Sequence, residues 1–417
     1  MRRLVLLLLL AGAALWSSPG AFAAGWCGTD ASPTDRPDVV TGQQIHAIWA
    51  IPSDGVDTFG TGAAKIADDF ASMTTWWAGQ DPTRVPRLDQ ATFAAGTCLD
   101  ISSVRLPDTG ATFVGDPGSA FDRIANDLAA AGFDNQYKKY VVYYDGPTID
   151  AQTCGVGGGS FDSGPAFAMV FTRDCLGPPS VFTDSVAAHE LLHGLGAVPT
   201  GAPHECPPPH QAHVCDAAND VMNWLNPGTP LAQQVLDVGH DDYYGHPGTW
   251  QDIQDSLWLH RLDLPQFPLA VALSGSGSVA SDLPGLDCET SCTTQWDQGE
   301  TPTLLPRPAA KSRFVGWRGA CSGIASCRLD IDSAKAVIAV FGPVTIPVKV
   351  ATTGKGTVSC TPVCSRIFKA GRALTLRAVP AKGWRFVRWS GGCAGTRPVC
   401  SPRTDFALSV RATFRRR

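Results

Sequence analysis

Where its fourteen cysteines stand limits this 417-residue chain more than any other feature. Cys288, Cys292, Cys321 and Trp317 recur as Cys360, Cys364, Cys393 and Trp389, each 72 residues later, and Cys327 recurs one residue further on as Cys400. SRFVGW (312–317) returns as WRFVRW (384–389), and IAVF closes the first copy where RATF closes the second. A constant offset over several landmarks marks an internal duplication. The other six cysteines, Cys27, Cys98, Cys154, Cys175, Cys206 and Cys215, all precede residue 270. Each group is even, so each unit can close its own bridges. Cys206 with Cys215 is the shortest candidate pair in the first group, and the other pairings stay open. The expected units are residues 24–268, 269–343 and 344–417.

The first residues stand apart from these units. Arg2-Arg3, the apolar run Leu4 to Leu15 and the small-residue site Ala21-Phe22-Ala23 read as a secretory signal peptide over 1–23. The run is too short to span a bilayer. No long apolar run follows, so the mature protein is expected to be exported, soluble and extracellular, with disulfides rather than free thiols. About twenty residues separate the leader from the first strand, too few for a sizeable propeptide. Cys27, within them, is expected in a disulfide rather than capping a metal.

Charge is divided as the cysteines are. Residues 24–268 carry ten Lys or Arg against thirty acids; from Pro343 onward there are fifteen against one, Asp405. Two functional units are expected, an acidic body and a basic tail. The tail's positive field suits an anionic cell wall, an acidic polysaccharide or nucleic acid. Of its aromatics, Trp384, Phe386 and Trp389, the last two match Phe314 and Trp317 in the near-neutral first copy, which suggests core packing rather than base stacking.

Between about Gln43 and Leu264, strand and helix patterns alternate. QIHAIWAIP (44–52) alternates as a strand, and residues 62–77 carry Ile66, Phe70, Met73 and Trp77 at helical spacing. DISSVRL, FDRIANDLAAAGF, KYVVYY and AFAMVFT then read as strand, helix, strand and strand. Asp184-Ser185 is the expected N-cap of a further helix. That helix carries HELLHGLG (189–196), in which His189 and His193 stand one turn apart on the same face and can reach one metal ion. Glu190 lies beside them, where a carboxylate can hold a zinc-bound water, take its proton during attack on a carbonyl and pass it to the leaving amine. Ala187, Leu191, Leu192 and Leu195 anchor the opposite face, and Gly196 can end the helix.

A metzincin would place its third zinc histidine three residues after that glycine, where this chain has Pro199. The proline-rich stretch AVPTGAPHECPPPHQAHVCDAANDVMNW offers His204, His210, His213 and Asp216 instead. It ends in Asp220-Val221-Met222, which suits a methionine turn beneath the ligands. His204 is the preferred third ligand and His213 the alternative. Trp224 stands where a tyrosine often follows such a turn. Tyr243 and Tyr244 could serve in its place, although a structural role is the stronger expectation for both. His240-Asp241-Asp242 shows too few ligands for a second, calcium-type site.

Taken together, HELLHGLGAV, APH, HVC and DVM, with QDPTRVPRLD (80–89) and DDYYG (241–245), resemble a group of secreted bacterial, chiefly actinobacterial, metalloendopeptidases related to metzincins. The resemblance spans roughly residues 40–260. It implies Zn2+ held by His189, His193 and a third histidine displaced into the loop, with Glu190 as general base. APH points to His204, and HVC keeps His213 open. The duplicated copies resemble bacterial internalin B-repeat-like modules, which implies small β units stapled by their own cysteines. The expected architecture is therefore an α+β zincin-like catalytic domain, with a mixed sheet and the HExxH helix, followed by two small all-β repeat modules. The expected function is that of a monomeric secreted zinc endopeptidase, with a peptide substrate along an edge strand near AFAMVFT. The alternative is a non-catalytic cell-surface or matrix-binding protein with a structural metal site.

Overall fold

In the computed structural model, the described residues are 26–150, 152–173, 182–225, 229–364 and 366–417. The leader over 1–23 and Cys175 lie outside them. The chain is mostly β, and it divides into one compact unit ending at Asp263 and a second spanning Leu264–Arg417. The second unit starts earlier than the sequence suggests, because Gln266 and Phe267 already pair with Asp297 and Trp296.

In the first unit the elements run β1 (Gln44–Ile51), α1 (Phe59–Gln80), β2 (Arg84–Pro86), β3 (Gln90–Phe93), β4 (Gly96–Leu99) and β5 (Ile101–Arg105). They continue with α2 (Pro117–Ala130), β6 (Lys138–Tyr144), β7 (Gly155–Gly158), β8 (Ala166–Phe171), α3 (Thr183–Leu195) and β9 (Leu259–Arg261). The main sheet has the order β5-β1-β6-β8-β7. Four of its strands are parallel, and β7 runs antiparallel to β8 at the edge.

Strand parity sorts the core. Ile45, Ala47, Trp49, Val141, Tyr143, Ala168 and Val170 point to the side where α1 supplies Ile66, Phe70, Met73 and Trp77 and α3 supplies Leu191, Leu192 and Leu195. Ile48, Ala50, Val142, Tyr144, Met169 and Phe171 point to the other side, against Ala120, Ile124 and Leu128 of α2. Each large side chain buried this way contributes about 1.5–3 kcal/mol, so both faces are covered and the strands read as nearly continuous apolar runs.

Polar ties fix the periphery. The Lys138 ammonium, almost fully buried, contacts Asp35, Asp38 and Asp89 at 2.6, 2.5 and 2.7 Å. With the Cys27–Cys98 disulfide and the Arg36–Asp100 ion pair, it pins the segment before β1 to the sheet. The QDPTRVPRLD and DDYYG stretches meet where the Tyr244 hydroxyl donates to Asp81 at 2.8 Å, and β2, within the first of them, pairs with the later strand β9.

The second unit repeats itself down to single hydrogen bonds. The first copy pairs strands Gln266–Ser274, Lys335–Pro343 and Ser312–Gly319, and the second pairs Thr345–Thr353, Leu408–Arg416 and Trp384–Gly391 in the same parallel and antiparallel pattern. Each copy has a register shift after its phenylalanine, at Phe314 and at Phe386. Trp317 and Trp389 donate from their indole nitrogens to Ala325 and Arg397 carbonyls, at 3.1 and 2.9 Å. Disulfides Cys288–Cys292, Cys321–Cys327, Cys360–Cys364 and Cys393–Cys400 staple each copy internally. Trp389 and Phe414 are buried and Phe386 packs on both, so the aromatics are core. Among the described residues no helix is long and apolar enough to cross a membrane.

Candidate functional site

Helix α3 begins at Thr183, and the residue preceding it, Phe182, offers no side-chain cap. The Asp184-Ser185 pair expected as a cap lies inside the first turn. There Asp184 accepts from the Ser72 hydroxyl at 2.6 Å and places a negative charge at the positive end of the helix. The C-terminus follows the sequence expectation: Gly196 is left-handed, with φ 84°, and its N–H returns to His193 O. A side chain there would meet the Phe161 backbone nitrogen at 2.9 Å, so both conformation and space require glycine.

His189 and His193 face one point, and the residue that joins them is His213. His193 Nε2 lies 3.2 Å from His189 Nε2 and 3.2 Å from His213 Nε2. Main-chain carbonyls set two of the tautomers. His189 Nδ1 donates to Val221 O at 2.6 Å, and His213 Nδ1 donates to Gln211 O at 3.1 Å. A carbonyl only accepts, so the proton sits on each Nδ1, and each Nε2 turns its lone pair inward. Burial lowers the pKa of all three rings: His189 falls to about 4, with His213 beside it adding to the effect, His193 falls well below its usual value, and His213 falls as well. The three imidazoles are thus neutral donors near neutral pH.

His204 does not reach this cluster, which corrects the preferred reading of the sequence. Its N–H and Nδ1 bond Asp242 at 2.7 and 3.0 Å, with Asp241 and Asp216 nearby. The hydrogen bond to Asp242 raises its pKa, which favours the protonated form over a ligand. The cause is a hairpin: Glu205 pairs with Val214, Cys206 N–H donates to His213 O, and Cys215 N–H donates to His204 O. The Cys206–Cys215 disulfide closes it. Val214 N–H then donates to Met222 O at 3.1 Å, which ties the hairpin to the methionine turn and sets His213 over α3. Met222 is fully buried, in the same apolar core as Leu191 and Leu192 of α3.

Asp220 holds that turn from below, accepting from Met222 N–H at 2.8 Å and from the Tyr243 hydroxyl at 2.7 Å. Tyr243 and Tyr244 are buried with their hydroxyls committed to Asp220 and Asp81, so both are structural. His240 bonds Tyr244 O, away from Asp241 and Asp242. His210 stacks on Trp224, ring centroids 3.8 Å apart. With Thr153, Gly155, Glu190 and Val221, that pair lines a cavity of about 400 Å³ beside the histidines.

Glu190 is buried against β7. Burial raises its pKa to about 8, opposed by a hydrogen bond from the Gly157 N–H. The edge strand near AFAMVFT is β7, which pairs with it. The run GVGGG has the composition of a linker, and its alternation was the overlooked signal. A Cβ on Gly155 would meet Glu190 Cγ at 2.7 Å, one on Gly157 would meet Glu190 O at 2.5 Å, and one on Gly159 would meet Gly194 O at 2.3 Å. Glycine at every second position lets the helix lie directly on the strand. Gly157→Ala is expected to cost about 1–3 kcal/mol by overpacking and to displace Glu190. Gly158→Ala, whose nearest neighbour would be Phe121 Cζ at 3.6 Å, serves as the control. Thermal denaturation of the two variants checks this, and equal melting temperatures would refute it.

No curated protein matches the chain in sequence. Among solved structures, wild-type OgpA from Akkermansia muciniphila aligns over 93% of this chain and 98% of its own, at 10% identity and a TM-score of 0.29. Catalytically inactive OgpA in complex with an O-glycopeptide (glycodrosocin) substrate aligns over 93% and 98%, at 10% identity and a TM-score of 0.28. The major pilin protein (T-13) of Streptococcus pyogenes aligns over 36% of this chain and 97% of its own, at 9% identity and a TM-score of 0.17. Likenesses this weak carry no argument about the fold or activity here. The C-terminal copy has a sequence match: residues 346–417 are similar to the divergent InlB B-repeat domain.

Proposed function

We propose that the protein is a secreted zinc-dependent endopeptidase whose metal is held by His189, His193 and His213, with Glu190 as general base. The observation that carries this reading is the convergence of three imidazole Nε2 atoms, with His189, His213 and the buried Glu190 in the wall of an open cavity. The donor set fits the ion. Four-coordinate zinc with Zn–N bonds of about 2.0–2.1 Å places its nitrogens roughly 3.3 Å apart, close to the 3.2 Å observed. Three protein ligands and an open side suit a catalytic rather than a closed structural site.

Bound zinc supplies a Lewis acid that lowers the pKa of water to about 7 and polarises a carbonyl. The chain's own groups do the rest. The Glu190 carboxylate takes the proton of the attacking water and delivers it to the leaving nitrogen. Its burial strengthens the proton affinity that the first of these transfers uses. Val221 O and Gln211 O keep the imidazole rings turned inward. The outer edge of β7 offers main-chain groups to an extended peptide, and the cavity beneath receives a side chain against His210 and Trp224. The disulfides agree with an extracellular setting.

The test is metal removal. Cleavage of casein or of an unstructured peptide is expected to stop on treatment with a zinc chelator and to return on adding zinc but not magnesium. Undiminished cleavage by metal-free protein would sink the reading.

A further inference from the structure

The duplication supplies one scaffold with two different surfaces. Inward positions agree between the copies: Phe314, Trp317, Ala339 and Phe341 stand where Phe386, Trp389, Ala412 and Phe414 stand. Outward positions on the same strands do not. Ile338 and Gly342 of the first copy are replaced by Arg411 and Arg415 in the second, and the buried Gly316 gives way to the exposed Arg388, while Arg313 persists as Arg385.

Strand pairing gathers these arginines. Arg385 lies directly across from Arg415, Arg388 across from Thr413, and Ser390 across from Arg411. Lys349, on the strand beyond, pairs with Ser409. All four arginines and the lysine are exposed. Neighbouring strands are about 4.8 Å apart, and outward residues repeat about every 6.8 Å, so the guanidinium groups form one continuous face.

That face has no counter-charge of its own. Among the described residues no carboxylate forms an ion pair with these arginines, and Arg411 donates to the Thr353 hydroxyl instead. The lone acid of this copy, Asp405, lies 3.8 Å from Lys311. Like charges directly opposed in a sheet destabilise it. The first copy adopts the same pairing with glycine and isoleucine at three of these sites, so the fold does not require the arginines.

We infer that the outer face of the 345–416 sheet, centred on Arg385, Arg388, Arg411 and Arg415, binds an extended anionic polysaccharide. Planar guanidinium forks pair well with sulfate, phosphate and carboxylate groups, and a row of them suits a linear polymer. Nucleic acid fits less well, because Phe386, Trp389 and Phe414 alternate with the arginines along the paired strands and no ring stands among them for bases to stack on. A bilayer fits less well, because the side chains among the arginines are Ser390, Ser409, Thr413 and Ala351, with no apolar anchor.

The full-length protein is tested on heparin as the probe. Arg388→Gly/Arg411→Ser/Arg415→Gly, which places first-copy glycines at two positions, is expected to weaken binding at least tenfold near 0.15 M salt and to lower the salt of elution. Arg377→Ser/Arg403→Ser removes charge outside the face and is expected to change affinity less than threefold. Should the triple variant lose its melting transition, Arg388→Gln/Arg415→Gln replaces it, with at least a threefold loss expected. Equal losses in face and control variants would mean that net charge alone binds, which overturns the proposal. So would an absence of heparin binding by the unaltered protein, or tighter binding to single-stranded DNA or to phosphatidylserine vesicles than to heparin.

Discussion

His213→Ala is expected to abolish stoichiometric zinc binding, while His204→Ala keeps it. Removing His213 leaves two imidazoles and an open side, too few ligands for a catalytic zinc site. The loss should exceed the ten- to hundredfold typical of removing a partner that only orients a ligand. His204 is turned to Asp242 and contributes no nitrogen to the cluster, so its removal should change zinc affinity by less than about tenfold. Competitive chelator titration and metal analysis after dialysis check both variants. The reverse pattern, zinc lost with His204 and kept without His213, would restore the reading based on sequence alone. Acid should act in the same direction as His213→Ala. Because burial lowers the pKa of all three imidazoles, protons should compete with metal only below the usual histidine range.

Glu190→Gln is expected to lower kcat by about 10²–10⁴-fold, with zinc retained near one per chain and KM little changed. A thousandfold loss corresponds to about 4 kcal/mol of transition-state stabilisation. The amide has the size of the carboxylate, and its oxygen can still accept from the Gly157 N–H, so packing against β7 is preserved. What it lacks is the ability to take a proton. Steady-state kinetics beside metal analysis separates this from a folding defect. Wild-type turnover by the zinc-loaded variant would remove Glu190 from the mechanism.

Much of the first unit was legible because its signals are local. The apolar parity of β1, the helical spacing of Ile66, Phe70, Met73 and Trp77, and the i,i+4 histidines closed by Gly196 each lie within a few residues. The 72-residue offset likewise exposed the modules, and the short Cys206–Cys215 spacing exposed the staple. The third histidine was not legible. His204 and His213 stand at opposite ends of one small hairpin, and which of them turns toward α3 depends on distant partners. Asp242 claims the first, and Met222 O aligns the strand that carries the second. Strand β7 escaped notice for a different reason. Its glycines contribute no hydrophobic pattern, and their meaning appears only once a helix rests on them.

The Cys206–Cys215 bridge has a bearing on the order in which such a protein matures. The nine-residue separation between its cysteines encloses His213, so the third imidazole is presented by a hairpin that the oxidised pair closes in addition to its main-chain hydrogen bonds. On the proposed function, zinc entry would then follow thiol oxidation outside the cytoplasm. A nascent chain still in a reducing compartment would hold the paired helix histidines without their third companion. On that reading, the proposed hydrolytic activity would await the bridge.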